Sequence, residues 1–193
     1  MNDLLPLNDT VRTDTLAWLE RAVIGLNLCP FAKSVYTKGQ VHLAISEART
    51  PDAVETDLRA QLQALQALEP EVRDTTLLVL PHALPDFLDF NDFLDDADAV
   101  LDELDPEGDI QIASFHPDYQ FAGTEPDDVT NFSNRSPYPI LHLLREDSVE
   151  RAVEAVPDAA DIFERNKATL RKLGPEGWAA LRVGRSSGEE GAA

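Results

Sequence analysis

TTLLVLPHALPDFLDFNDFLDDADAVLDELDPEGDIQIASF, running from Thr75 to Phe115, sets the architecture. Thr75 to Leu80 is a compact apolar run closed by Pro81, the pattern of a strand buried on both faces. From Asp86 to Asp109 the chain has many acids and no base. Within that span Phe87, Phe90, Leu94, Ala97, Leu101 and Leu104 recur every three or four residues. That spacing predicts one helix with a buried apolar stripe and an acidic, solvated outer face. Asp109 to Phe115 returns to strand character. Strand, helix and strand in this order imply a right-handed crossover between neighbouring parallel strands.

The same alternation extends both ways. Upstream, Val41, Leu43 and Ile45 alternate with His42, Ala44 and Ser46, the period of a strand. Pro51 then opens a helix carrying Val54, Leu58, Leu62, Leu65 and Leu68 that stops near Pro70. Before it, Asp14 is placed to cap a helix with Leu16, Leu19, Val23 and Leu26, and a short turn covers Pro30 to Val35. Downstream, Ile140 to Arg145 is a fourth strand, and Asp147 with Glu150 reads as a capping box for the helix that follows. Pro157 breaks that helix, a further one runs from about Asp158 to Leu173, and Gly174-Pro175 separates it from a last short helix with Trp178 and Leu181. The fold class is α/β, with α+β as the alternative: one sheet of about four strands with helices packed on it.

The chain has 193 residues, 43% apolar and 27% charged, which suits a single globular domain over residues 11–185. Residues 1–10 read as a loose start and 186–193 as a disordered tail. With 16 Lys and Arg against 36 Asp and Glu, the net charge is −20. Such a chain is repelled by nucleic-acid phosphates and by anionic membrane surfaces, so neither is an expected partner. The basic residues of the C-terminal part, such as Arg165, Arg171 and Lys172, are available to pair with the acidic helix, within the chain or across a dimer. Cys29 is the single cysteine, which excludes an internal disulfide and a cysteine-based zinc cluster. No signal-peptide pattern opens the chain and no apolar run reaches the ~20 residues of a membrane span, so a cytoplasmic location is expected.

Between the third and fourth strands lies a long aperiodic segment, residues 116–139, rich in aromatics, Pro and Asn. A loop of this length in a compact domain is usually functional or disordered, and this composition favours a fixed backbone. It begins at the C-terminal end of a strand, where ligand crevices of open α/β sheets form. Arg135 offers a rigid fork for a carboxylate or phosphate; the competing reading is an ion pair with Glu125, Asp127 or Asp128. Asn131, Asn134 and Tyr119 are candidate substrate contacts; the competing reading is a loop pinned by Asn and Arg hydrogen bonds to its own backbone. His116 ends the third strand, suited to a general base or to a structural role. His142, inside the fourth strand, faces away from Leu141 and Leu143, toward the same crevice if the two strands are neighbours. Cys29 directly precedes Pro30, and Pro favours the first position of a helix. A thiol there has its pKa lowered by the helix dipole, and Lys33 one turn on lowers it further. The competing reading is an inert buried thiol.

Three segments together resemble a family of uncharacterised bacterial proteins, domain of unknown function 1415. They are Leu28-Cys29-Pro30-Phe31-Ala32-Lys33, the run from His116 to Gly123, and Asn134-Arg135-Ser136-Pro137-Tyr138-Pro139 continuing to Leu141 through Glu146. The resemblance covers nearly the whole chain up to about Ser186. It groups Cys29, His116 and Arg135 as parts of one site and implies no activity.

The leading expectation is a small enzyme acting on a small anionic metabolite. Arg135 with Asn131 and Asn134 holds the acidic group, Cys29 is the nucleophile or redox thiol, and His116 is its base or acid. Lys33, Tyr119 and His142 complete the binding set. One alternative is a non-catalytic ligand-binding or protein-interaction module. Another is a metal-assisted enzyme using His116, His142 and a carboxylate such as Glu125 or Asp128. No phosphate-loop or nucleophile-elbow pattern occurs, and no cofactor is named by the sequence.

Overall fold

The computed structural model describes residues 7–105, 108–154 and 161–186. Helix α1 (Leu7–Trp18) runs into a π-helical turn, Leu19–Ile24, and is followed by the short α2 (Ala32–Thr37). Then come β1 (Val41–Ile45), α3 (Pro51–Gln66), β2 (Thr75–Val79), α4 (Phe87–Leu104) and β3 (Ile110–Phe115). A 3-10 turn, Val129–Asn134, lies in the long loop before β4 (Ile140–Arg145), α5 (Glu146–Glu154) and α6 (Ile162–Leu181).

The four strands form one mixed sheet in the order β1-β2-β4-β3. β1 and β2 are parallel, whereas β4 pairs antiparallel with β2 on one side and β3 on the other. The α/β class with one four-stranded sheet is therefore present, but β2 and β3 are not neighbours as the crossover predicts. The 116–139 loop brings the chain back at the end of the sheet where β3 stops. β4 then fits between β2 and β3, and its backbone groups are paired along both edges.

One face of the sheet carries Leu78, Leu141, Leu143 and Ile110 against Val54, Leu58, Leu62 and Leu65 of α3 and Phe90, Phe93, Ala97 and Val100 of α4. Alternate residues of the same strands, Leu43, Leu77, Val79 and Ile140, meet Val11 and Trp18 of α1, then Ala22, Val23, Tyr138 and Val183, on the other face. Caps fix the helices of the first face. Thr50 accepts from Ala53 N ahead of Pro51, and Asp86 accepts from the amides of Leu88 and Asp89 at 2.8 and 3.2 Å. At the far end of α3, Arg145 Nη2 donates to the Leu65 carbonyl at 2.6 Å and also to Leu68 O, so the end of β4 is tied to the last turn of α3 and the segment after it.

Several local expectations are corrected. The first helix begins at Leu7, inside the stretch read as loose; residues 1–6 lie outside the described residues. Asp14 is not a cap: it lies within α1, buried, because its carboxylate is used by Tyr138 and Ser186. Ser186 is thereby fixed rather than part of a loose tail, and the rest of that tail, like Pro157, lies outside the described residues. Pro30 precedes α2 by two residues instead of opening it. α5 starts at Glu146, which puts Asp147 in the first turn and not at a cap. Gly174 does break α6, with φ 67° and ψ 175°. The acidic helix finds its cation on α3, where Arg59 bridges Glu103 at 2.8 Å. Lys167 of the C-terminal part pairs instead with Glu164 of its own helix.

Candidate functional site

α1 and the end of α6 cover only part of the second sheet face. Beyond them the sheet floors a cavity of about 840 Å³. Strand register composes the floor: Thr75, Leu144 and Gln111 lie across one row, Leu77, His142 and Ala113 across the next, and Phe115 continues it. One wall is Trp18, Leu19 and Val23 with the segment from Cys29 to Val35; the opposite wall is Ser148, Val149 and Arg151 of α5. Ala113 is small beside His142, which leaves space above β3. The π-helical turn follows Trp18, and π-turns inside helices often accompany functional sites.

The polar groups of the floor are neutral. Thr75 Oγ1 donates its one proton to Leu143 O at 2.6 Å, so His142 Nε2 must donate to Thr75 Oγ1, also at 2.6 Å. His142 Nδ1 is then the unprotonated nitrogen. Burial pushes the His142 pKa down to about 4. The backbone amides of Phe31 and Ala32 near Cys29 favour the thiolate, but burial outweighs them and raises the thiol pKa. The lowered pKa expected from a helix start is thus reversed: Pro30 does not open α2, and an apolar wall surrounds the sulfur. Lys33 is exposed and outside the wall; Lys38, one turn on, lines it.

His116 belongs elsewhere. Its ring is fully buried between Phe87 and Phe90, with centroids at 5.4 and 5.1 Å. Nδ1 accepts from Asp118 N at 3.0 Å, which makes Nε2 the donor to Leu84 O at 3.2 Å. Both nitrogens are committed and burial lowers the pKa. Phe90 belongs to the α3–α4 face, whereas Cys29 packs on the other face. The expected pairing of Cys29 with His116 is not formed. Nor do His116 and His142 converge, and among the described residues no group of three or more His, Cys, Asp or Glu is placed to hold a metal ion.

The 116–139 loop follows its backbone-pinning alternative. Asn131, fully buried, accepts from Phe121 N at 3.0 Å and Thr124 Oγ1 at 2.8 Å, and donates to Glu125 O at 2.9 Å. Asn134 Nδ2 donates to Ser114 O at 3.2 Å. Tyr119 stacks against Phe87 and Phe121. Arg135 donates from Nε to Tyr119 O at 3.3 Å and from Nη2 to Pro126 O, and makes no ion pair with Glu125, Asp127 or Asp128. It lines a separate, smaller cavity. Trp18 connects the two: its ring lines the larger cavity while Nε1 donates to Arg135 O at 2.8 Å.

The larger cavity therefore holds Cys29 and His142 from the expected set, together with Thr75, Gln111, Ala113 and Lys38, which sequence reasoning passed over. The polar Gln111, on the same side of β3 as Phe115, is the one sequence signal by which this uncovered face could be found.

A family described as "Protein of unknown function (DUF1415)" matches residues 10–180. The chain belongs to that family. No curated protein and no solved structure matches it. No described helix is long and apolar enough to cross a membrane.

Proposed function

We propose that the chain is a binding protein for a small, largely apolar molecule seated on the open part of the sheet. The observation that carries this reading is the cavity itself, a mostly apolar hollow of about 840 Å³ whose floor groups Thr75, His142 and Gln111 are neutral, and whose charged lining residues, Lys38 and Arg151 against Glu71 and Asp74, are equal in number and opposite in sign. Small-molecule sites typically occupy about 300–1,000 Å³ and combine apolar walls with a few polar contacts. The enzyme reading with an anionic metabolite has less support, because Cys29, His116 and Arg135 occupy three different environments.

The neutral fluorescent probe N-phenyl-1-naphthylamine tests it. The full chain should give a saturable fluorescence increase, and Ala113→Leu, which fills the floor, should weaken it at least tenfold with an unchanged circular dichroism spectrum. Equal probe affinity in a folded Ala113→Leu protein, or no saturable binding to the parent, would remove the proposal.

A second reading rests on one fact: Cys29 and His142 line the same cavity. A thiol enzyme at this site would use the unprotonated His142 Nδ1 as base in place of His116. The pH at which the thiol ionises separates the two readings.

A further inference from the structure

The smaller cavity, of about 420 Å³, is lined by both Arg135 and Arg185. Neither takes part in an ion pair with a carboxylate among the described residues. In a chain with 36 acids and 16 Lys and Arg this is an unusual economy of pairing. Both side chains are instead held by groups without net charge. Arg135 is bound by the Tyr119 and Pro126 carbonyls and lies 4.8 Å over the Phe132 ring. Arg185 donates from Nε to Pro137 O at 3.1 Å and lies 4.5 Å over the Tyr138 ring. Carbonyls and rings orient a guanidinium without cancelling its charge, and N–H groups remain on each fork to meet a ligand. Asp118 is the lone carboxylate among the described lining residues, against two guanidiniums. The rest of the lining is mostly apolar and includes Pro117, Pro137, Phe132 and Trp178, with the last two rings 5.1 Å apart.

We propose that this cavity is a second binding site, distinct from the sheet-face cavity, for a small aromatic oxyanion: a carboxylate or phosphate between Arg135 and Arg185, and a flat ring against the Phe132–Trp178 wall. Planar forks of this kind match the oxygens of both groups. The site does not use Cys29 or His142, so it stands or falls apart from the proposed function.

Isothermal titration calorimetry of the full chain with phenyl phosphate and with benzoate tests it. At least one should bind saturably, and the stronger of the two identifies the oxyanion; benzyl alcohol, with the ring and no charge, should bind at least tenfold more weakly. Arg185→Gln and Arg135→Gln should each weaken binding at least tenfold. Arg185→Gln removes fewer loop contacts than Arg135→Gln, so it keeps the test decisive if the latter misfolds. Arg59→Gln, which removes the same charge on α3, should leave affinity within twofold. Binding of neither anion, or equal affinity in folded Arg185→Gln, overturns the proposal. So does binding that appears only after residues 187–193 are deleted, since that would assign the cavity to Glu189 and Glu190 of the chain's own end.

Discussion

The phenol of Tyr138 donates to Asp14 Oδ2 at 2.8 Å, joining residues 124 positions apart in the chain. Asp14 is buried in α1, and the backbone N–H and the hydroxyl of Ser186 donate to the same carboxylate. One side chain thus ties the first helix to the end of the 116–139 loop and to the last described residue. Burial, and then the bond to Asp14, raise the Tyr138 pKa, which keeps the phenol a donor.

Asp14→Ala should therefore destabilise the fold by about 3 kcal/mol, because it strands the buried Tyr138 phenol and also releases Ser186 from α1. Tyr138→Phe should cost only about 1 kcal/mol, since it removes one bond and keeps the ring under Arg185. Urea unfolding measures both. An Asp14→Ala loss below that of Tyr138→Phe would contradict the shared-acceptor account.

The buried histidines fix the sign of an acid response. Burial is the largest cause lowering the pKa of His142, to about 4, and of His116 and His42. Above about pH 6.5 these rings are neutral both folded and unfolded, so they add no pH dependence. As pH falls from there toward 4, the unfolded chain takes up protons that the folded chain refuses, and stability drops. For His142 the loss approaches about 1.4 kcal/mol per pH unit within that window, and His116 and His42 add to it in the same direction. Urea midpoints between pH 6.5 and 5 should fall accordingly, and His142→Gln should flatten the slope. An unchanged slope in that variant would mean that His142 is not held neutral.

Cys29 should behave as a protonated, shielded thiol. Its alkylation by iodoacetamide at pH 7.5 is expected to run at least tenfold slower than that of the urea-unfolded chain, rising only above the ordinary cysteine range of about pH 8.5. A midpoint at or below that value would favour the thiol-enzyme reading over simple binding.

Much of the architecture was legible because apolar periodicity survives any tertiary context. β2 from Thr75, the apolar stripe of α4 from Phe87, α3 opened by Pro51 and the break at Gly174 all fall where spacing and punctuating residues place them. The site was less legible. Cys29 and His142, both candidates from the sequence, line one cavity, but the base that the sequence assigns to Cys29 is His116, whose ring is walled in by Phe87 and Phe90. A strand-end histidine looks the same in sequence whether its nitrogens face a ligand or the Leu84 carbonyl.

Sequence alone determined most of the elements and their buried faces, because each rests on residues close together in the chain, and it pointed to the family through motifs that are each local. Only the tertiary structure decided that β4 enters between β2 and β3, and that Asn131 and Arg135 hold the loop's own backbone. It also put Cys29 and Arg135 in separate hollows on either side of Trp18. Those outcomes depend on which face of the sheet each distant segment reaches, and that is set by long-range strand pairing and packing, which local spacing does not encode.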